Sequence, residues 1–187
     1  MGGAPSRPAA PPGRDRFTGP LLVASVVCTG LMAGLFFSYD ISVMPSLAEL
    51  DDRTYAAAMQ RFNAVIDGSA LFGTVFLAAL GLTVASAILA FRKKRLPVAV
   101  PLVLAAVCYL VVLVITVTVS LPLNAELAEL GSTATAEDLS AVIEDFKSVW
   151  VPVNVVRTVL CLLSLGALCS AVLRYGRATA AVPFPPG

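Results

Sequence analysis

Apolar residues gather in four long runs, at about residues 21–44, 69–91, 97–121 and 149–173. A helix needs about 20 apolar residues to cross the hydrocarbon core of a bilayer, so each run is long enough to span. In lipid the backbone polar groups must be satisfied within the segment or within a closed barrel. None of the runs shows the alternation a barrel strand requires, so all are read as helices. The third run is dense in Val and Leu, which in water would suggest strands, but the same backbone argument makes it helical.

The stretches between the runs have patterns of their own. Tyr55, Met59, Phe62 and Ile66 recur at helical spacing in the stretch 46–68, with Gln60, Arg61 and Asn63 flanking or opposite them. Asp51 and Asp52 are candidate N-caps for that helix. Leu139, Val142, Ile143 and Phe146 form a second stripe before the fourth run, with Thr135 and Asp138 as a capping pair at its start. Pro45 is expected to close the first span, and Leu121-Pro122-Leu123-Asn124 the third. The predicted fold is all-α: a transmembrane four-helix bundle with two extra amphipathic helices on the outer side. The expected organisation is a basic, Pro-rich disordered tail at 1–20, a four-span membrane domain at 21–175 and a Pro-rich tail at 176–187. The first run is too long for the core of a cleaved signal peptide and is read as a retained span.

Composition agrees with a membrane protein. Of the 187 residues 58% are hydrophobic and only 13% charged, against about 25% charged in soluble domains. The net charge of +1 gives no reason to expect nucleic acid. The four cysteines, Cys28, Cys108, Cys161 and Cys169, all lie in apolar runs and read as small hydrophobes. Histidine is absent, which removes Ser-His-Asp triads, zincin sites and His-ligated haem. Gly30 and Gly34 have a spacing that permits close helix approach and is also common by chance in membrane helices.

Charge is sorted by loop. The N-terminal tail, Arg92-Lys93-Lys94-Arg95 and the C-terminus carry nine basic residues against one acid. The stretch 46–68 is net −2 and the stretch 122–148 net −5. The positive-inside rule then places both termini in the cytoplasm of a multi-pass cell-membrane protein, with both amphipathic helices outside.

Asp40 and Arg157 are the formally charged residues left within the apolar runs. An intramembrane charge costs several kcal/mol unless paired, so each is the natural partner of the other. At about 1.5 Å per residue, Arg157 lies roughly 12 Å and Asp40 roughly 8 Å below the outer ends of their spans. Trp150, Asn154, Arg157 and Cys161 fall on one helical stripe, and Asn124 caps the outer end of the third span. If the stripes meet, Asp40 pairs with Arg157 while Asn154 and Asn124 bond the remaining donors. Two readings stay open at this point. The cluster is a buried ion pair that holds the helices in register, or it is a pocket for an anionic or phenolic ligand. Trp150 and Tyr39 read as interfacial anchors or as parts of that pocket.

The same residues carry a family resemblance. Gly30-Leu31-Met32-Ala33-Gly34-Leu35-Phe36-Phe37, then Val43-Met44-Pro45-Ser46-Leu47, Met59-Gln60-Arg61-Phe62-Asn63, Leu121-Pro122-Leu123-Asn124 and Trp150 with Asn154 and Arg157 resemble the anthrone-oxygenase-like family of small four-span membrane proteins. The resemblance covers about residues 20–175. It implies oxidation of an aromatic polyketide anthrone or phenol to a quinone by dioxygen, with no cofactor and no metal. In that case Asp40 would act as base and Arg157 as the cation beside the phenolate. Asn124 and Asn154 would orient the substrate oxygens, Trp150 would stack on its rings, and Tyr39 would join the binding residues. The implied partners are a hydrophobic small molecule, the membrane itself and, optionally, further copies of the chain. The alternative is a non-catalytic membrane protein that binds a lipid-like ligand or partner helices through the Asp40/Arg157 cluster.

Overall fold

The computed structural model describes residues 17–130 and 135–180, all in helices or short connections. The tails' basic residues Arg7, Arg14 and Arg16 and the terminal Pro-rich stretch lie outside the described residues. Among the described residues four helices are long and apolar enough to cross a membrane: Thr18–Leu47, Ala70–Arg92, Leu96–Glu129 and Asp138–Ala180. They form the expected all-α bundle.

The first span is α1 (Thr18–Ser38), a π-helical turn (Tyr39–Val43) and a short α2 (Met44–Leu47). Helix α3 (Asp52–Asp67) follows, capped by Asp51, whose carboxylate accepts from the Thr54 N–H at 3.0 Å and holds the Thr54 hydroxyl at 2.6 Å. Next come α4 (Ala70–Arg92), capped by Ser69, and α5 (Leu96–Ile115). Helix α5 passes through a second π-helical turn (Thr116–Ser120) into α6 (Leu121–Glu129). Helix α7 (Ala136–Ala180) completes the chain. Around the bundle α1 packs on α4, α4 on α5, α5 on α7 and α7 on α1, while α3 lies across α4, α6 and α7 at one end.

Three expectations are modified. Pro45 and Pro122 do not end their helices. The residue four places before each, Ile41 or Thr118, lies inside a π-helical turn. A proline ring clashes with the carbonyl four residues back and donates no N–H, so a wider turn there lets the helix continue. Secondly, the amphipathic stretch around Leu139–Phe146 and the fourth span are one 45-residue helix. At about 67 Å, α7 is more than twice as long as a hydrocarbon core of about 30 Å is thick, so part of it stands clear of the core. Thirdly, the buried stripe of α3 is Tyr55, Ala56, Met59 and Asn63, whereas Phe62 is exposed. Gln60 donates to the carbonyls of Leu127 (2.6 Å) and Leu130 (3.3 Å), tying α3 to the end of α6.

The core has two distinct ends, joined by a middle layer that includes Met32, Phe36, Phe76, Tyr109 and Cys161. Around the chain termini it is built from Leu22, Ala87, Ala90, Ala99, Leu102, Ala167, Leu168 and Ala171. At the opposite end it is built from Tyr39, Met44, Tyr55, Met59, Leu127, Ile143, Phe146 and Trp150. Helices are tied across the bundle by Ser164 Oγ donating to the Ala105 carbonyl (2.9 Å) and Tyr109 Oη to the Phe76 carbonyl (3.1 Å). The Gly30/Gly34 pair makes no close approach to another helix among the described residues. A Cβ on Gly30 would meet Leu165 at an ordinary 4.0 Å, and one on Gly34 would meet nothing within 4 Å.

Candidate functional site

The stripe on α7 faces inward, and Trp150, Asn154, Arg157 and Cys161 are all buried. Asn154 is its hub. Its Nδ2 donates both to Asp40 Oδ1 and to the Phe36 carbonyl, the latter at 2.9 Å. Its Oδ1 accepts from Arg157 Nη2 at 2.8 Å. Thr158 Oγ1 donates to the other Asp40 oxygen. The carboxylate and the guanidinium therefore hold opposite ends of one amide, and the direct Asp40–Arg157 pair expected from depth does not form among the described residues. An amide offers a donor to the anion and an acceptor to the cation, so it can stand between them with both faces satisfied. The guanidinium lies against aromatic faces instead, 4.6 Å from the Phe36 ring centre and 5.3 Å from that of Trp150. Such cation–π contacts offset part of the cost of burying the charge.

Trp150 and Tyr39 are buried and pack on each other, with ring centres 5.7 Å apart. Phe146 also stacks on Trp150, with ring centres 5.9 Å apart. Neither residue is an exposed interfacial anchor. The indole N–H of Trp150 donates to Asn124 Oδ1 at 3.1 Å, so Asn124 orients the indole and not the guanidinium.

Next to this cluster is a cavity of about 60 Å³. Arg157, Asn154, Trp150, Asn124 and Tyr39 are on its wall, and so are four polar residues that the sequence did not single out as site residues: Asn63, Asp67, Thr116 and Ser120. Asn63 is on the buried face of α3 and Asp67 at the end of that helix. Thr116 and Ser120 are the first and last residues of the second π-helical turn. A hydroxyl in a Val-rich run carries little signal of its own. The usable clue to Asn63 was its place four residues after the buried Met59. Partial desolvation raises the Asp67 carboxyl above its ordinary range, although the residue is exposed on its other side. Three polar atoms on wall residues are buried without a hydrogen-bond partner: Asn63 Nδ2, Ser120 Oγ and Arg157 Nε.

Asp40 is not on this wall. It borders a separate groove of about 570 Å³, beside Met44, Tyr55, Lys147 and Pro152. The Lys147 ammonium lies over the Tyr55 ring at 4.2 Å, and burial pushes the Tyr55 hydroxyl up to about 12. Among the described residues no three Cys, Asp or Glu side chains gather as a metal site would require.

A family model described as Anthrone oxygenase matches residues 62–167. Asn63, Asp67, Ser120, Asn124, Asn154 and Arg157 fall within that stretch, and Asp40 falls before it. No curated protein and no solved structure matches the chain.

Proposed function

The chain belongs to the anthrone oxygenase family, and from that premise we propose that it is a membrane oxidoreductase converting an anthrone methylene, or a related phenol, of an aromatic polyketide to the quinone. The observation that carries this reading is the buried Arg157 guanidinium. It lies against two aromatic rings on the wall of a small, mostly apolar cavity, with no carboxylate within ion-pairing distance among the described residues. A fixed cation in a low-dielectric site favours whatever anion forms beside it. Oxidation of an anthrone by dioxygen needs such an anion.

The proposed sequence balances without a further reductant. A base takes one methylene proton, and the charge spreads onto the ring oxygen beside Arg157. The electron-rich carbon passes electrons to dioxygen and a C–O bond forms, giving a peroxide. The second methylene proton leaves, the O–O bond breaks, one oxygen stays as the quinone carbonyl and the other departs as water. We assign the base to Asp67, the carboxylate on the cavity wall, whose raised affinity for protons suits the task. Asp40, which borders the other groove, is assigned the positioning of Asn154 and Thr158. Trp150 and Phe36 are buried and their rings already meet the guanidinium, with Tyr39 and Phe146 also against Trp150, so they hold the cation in place and do not stack on the substrate. The cavity holds only a few atoms, while drug-sized ligands occupy roughly 300–1,000 Å³. The oxygen-bearing edge therefore enters, and the rings lie across the mouth toward the bilayer. The distribution of basic residues supports placing both termini in the cytoplasm and this cavity in the outer half of the cell membrane.

The test is oxygen uptake by the purified protein on a panel of anthrones and hydroquinones, with wild type compared with Arg157→Gln. Uptake in the wild type and its loss in the variant support the reading. Equal rates, or none in either, sink it for that panel. The larger groove favours a second reading, non-catalytic binding of a lipid-like amphiphile beside Lys147 and Asp40. Co-purification of such a molecule, with no uptake on any anthrone, would select it.

A further inference from the structure

We propose that Asn63, Ser120 and Arg157 form a three-donor chamber for a single oxyanion at the inner end of the cavity. The three come from separate elements, α3, the second π-helical turn and α7, and all line the same space of about 60 Å³. Their exposures are 8%, 1% and 5%, so bulk water does not serve them. Each nevertheless has an atom without a partner: Asn63 Nδ2, Ser120 Oγ and Arg157 Nε. Native folds leave few such atoms unpaired, because each is costly, and those that persist point to a ligand or a function.

The character of the set decides the ligand's chemistry. The amide and guanidinium N–H groups can only donate, and a hydroxyl among donors is left to donate as well. The nearby amide acceptors are already engaged, Asn124 Oδ1 by the Trp150 indole and Asn154 Oδ1 by Arg157 Nη2. Within a mostly apolar lining, and with the Asp67 carboxylate as the one anionic group on the wall, these three residues offer donors and a positive charge. A neutral water accepts at most two hydrogen bonds, whereas an oxyanion accepts all three and is drawn by the cation as well. The volume suits an ion of a few atoms or a single ring-borne oxygen with its carbon. This inference rests on the proposed function only for what the oxyanion would be in turnover: the substrate's phenolate oxygen or reduced dioxygen. These share one chemistry at the chamber.

Trp150 is the sole tryptophan of the chain and lines the cavity, so its fluorescence reports on the chamber. Detergent-solubilised protein is titrated at constant ionic strength with sodium formate and, separately, with pentafluorophenolate, without any anthrone present. A saturable change in at least one arm is expected. It should be roughly tenfold weaker in Ser120→Ala and in Asn63→Leu, as fits the loss of one charge-assisted hydrogen bond. It should be unchanged in Thr118→Val, whose exposed hydroxyl bonds the Val114 carbonyl away from the chamber. Saturation by formate supports a free small oxyanion. Saturation by pentafluorophenolate alone supports a ring-borne oxygen. Linear quenching without saturation in both arms overturns the chamber, as does equal affinity in all variants with native circular dichroism. Saturable binding with no oxygen uptake on any anthrone keeps the chamber and overturns the oxygenase. Uptake with unsaturable quenching does the reverse.

Discussion

The two ends of this bundle solve the same packing problem differently. Near the termini the core is alanine against leucine: Ala87, Ala90, Ala99, Ala167 and Ala171 around Leu22, Leu102 and Leu168. Small residues let membrane helices approach closely, and that end carries neither of the two cavities described above. At the other end the core is built on the larger rings of Tyr39, Tyr55, Phe146 and Trp150. Both cavities and both π-helical turns are there, as is the buried charge. Buried polar atoms without hydrogen-bond partners occur elsewhere too, singly at Thr29, Ser86 and Arg95 away from the cavities and at Tyr55 on the groove, whereas the smaller cavity gathers three. A bundle can thus be close-packed at one end and keep room for chemistry at the other, with side-chain size setting the difference.

Substitutions that separate the two ends test this contrast. The largest expected effect is on catalysis: Arg157→Gln should lower oxygen uptake by about 10³-fold, with helix content retained by circular dichroism. Asp67→Asn should lower the rate by about 10²-fold and abolish the acid limb of the pH–rate profile. That limb reflects a base active only when ionised, so in the wild type the rate falls as pH drops through the raised value of the Asp67 carboxyl. The stability effect has the opposite sense. A carboxyl that holds its proton more tightly when folded contributes stability below its ordinary value, and that contribution is lost as pH rises through the raised one.

Asp40→Ala should destabilise the fold by about 2–4 kcal/mol, because Asn154 and Thr158 both lose a charged acceptor. Thermal unfolding in detergent measures it. In the close-packed end Ala99→Leu should cost about 1–3 kcal/mol by overpacking and leave the anion response of Trp150 unaltered. Ser120→Val, which fills space at the cavity and removes an unpartnered hydroxyl, should leave the unfolding midpoint unchanged or higher while weakening anion binding. The reverse order of stability for that pair would break the contrast. The smallest effect belongs to Asp51→Ala. Hydrogen bonds from Thr54 lower the Asp51 carboxyl, so its stabilisation is present at neutral pH and fades as pH falls through that lowered value. The variant should show a slightly lower midpoint at neutral pH and none in acid.

Much of this was legible along the chain. Period and run length were enough for a helical bundle of four spanning segments, because lipid forbids unsatisfied backbone. Depth and spacing were enough to bring Trp150, Asn154 and Arg157 onto one buried face of α7 and to carry Asp40 to the same level. The partners of those residues were less legible. Opposite charges at matching depth suggested contact between Asp40 and Arg157, yet Asn154 separates them. Asn63 and Asp67 belong to a helix whose buried stripe was displaced from the one expected, and Ser120 to a Val-rich run that no pattern divided.

The amino-acid sequence by itself determined which segments are helices, how deep each polar residue lies and which helical face it shares. These follow from local periodicity and from the lack of backbone partners in lipid. Only the tertiary structure decided which faces meet, where two π-helical turns shift the side-chain register, and therefore that Asn63, Ser120 and Arg157 surround one cavity while Asp40 borders another. One extra residue in a turn rotates all that follows by about 100°, and the rotation of one helix against its neighbours depends on side-chain volumes packed from several elements at once. Neither is a property of any one stretch of chain.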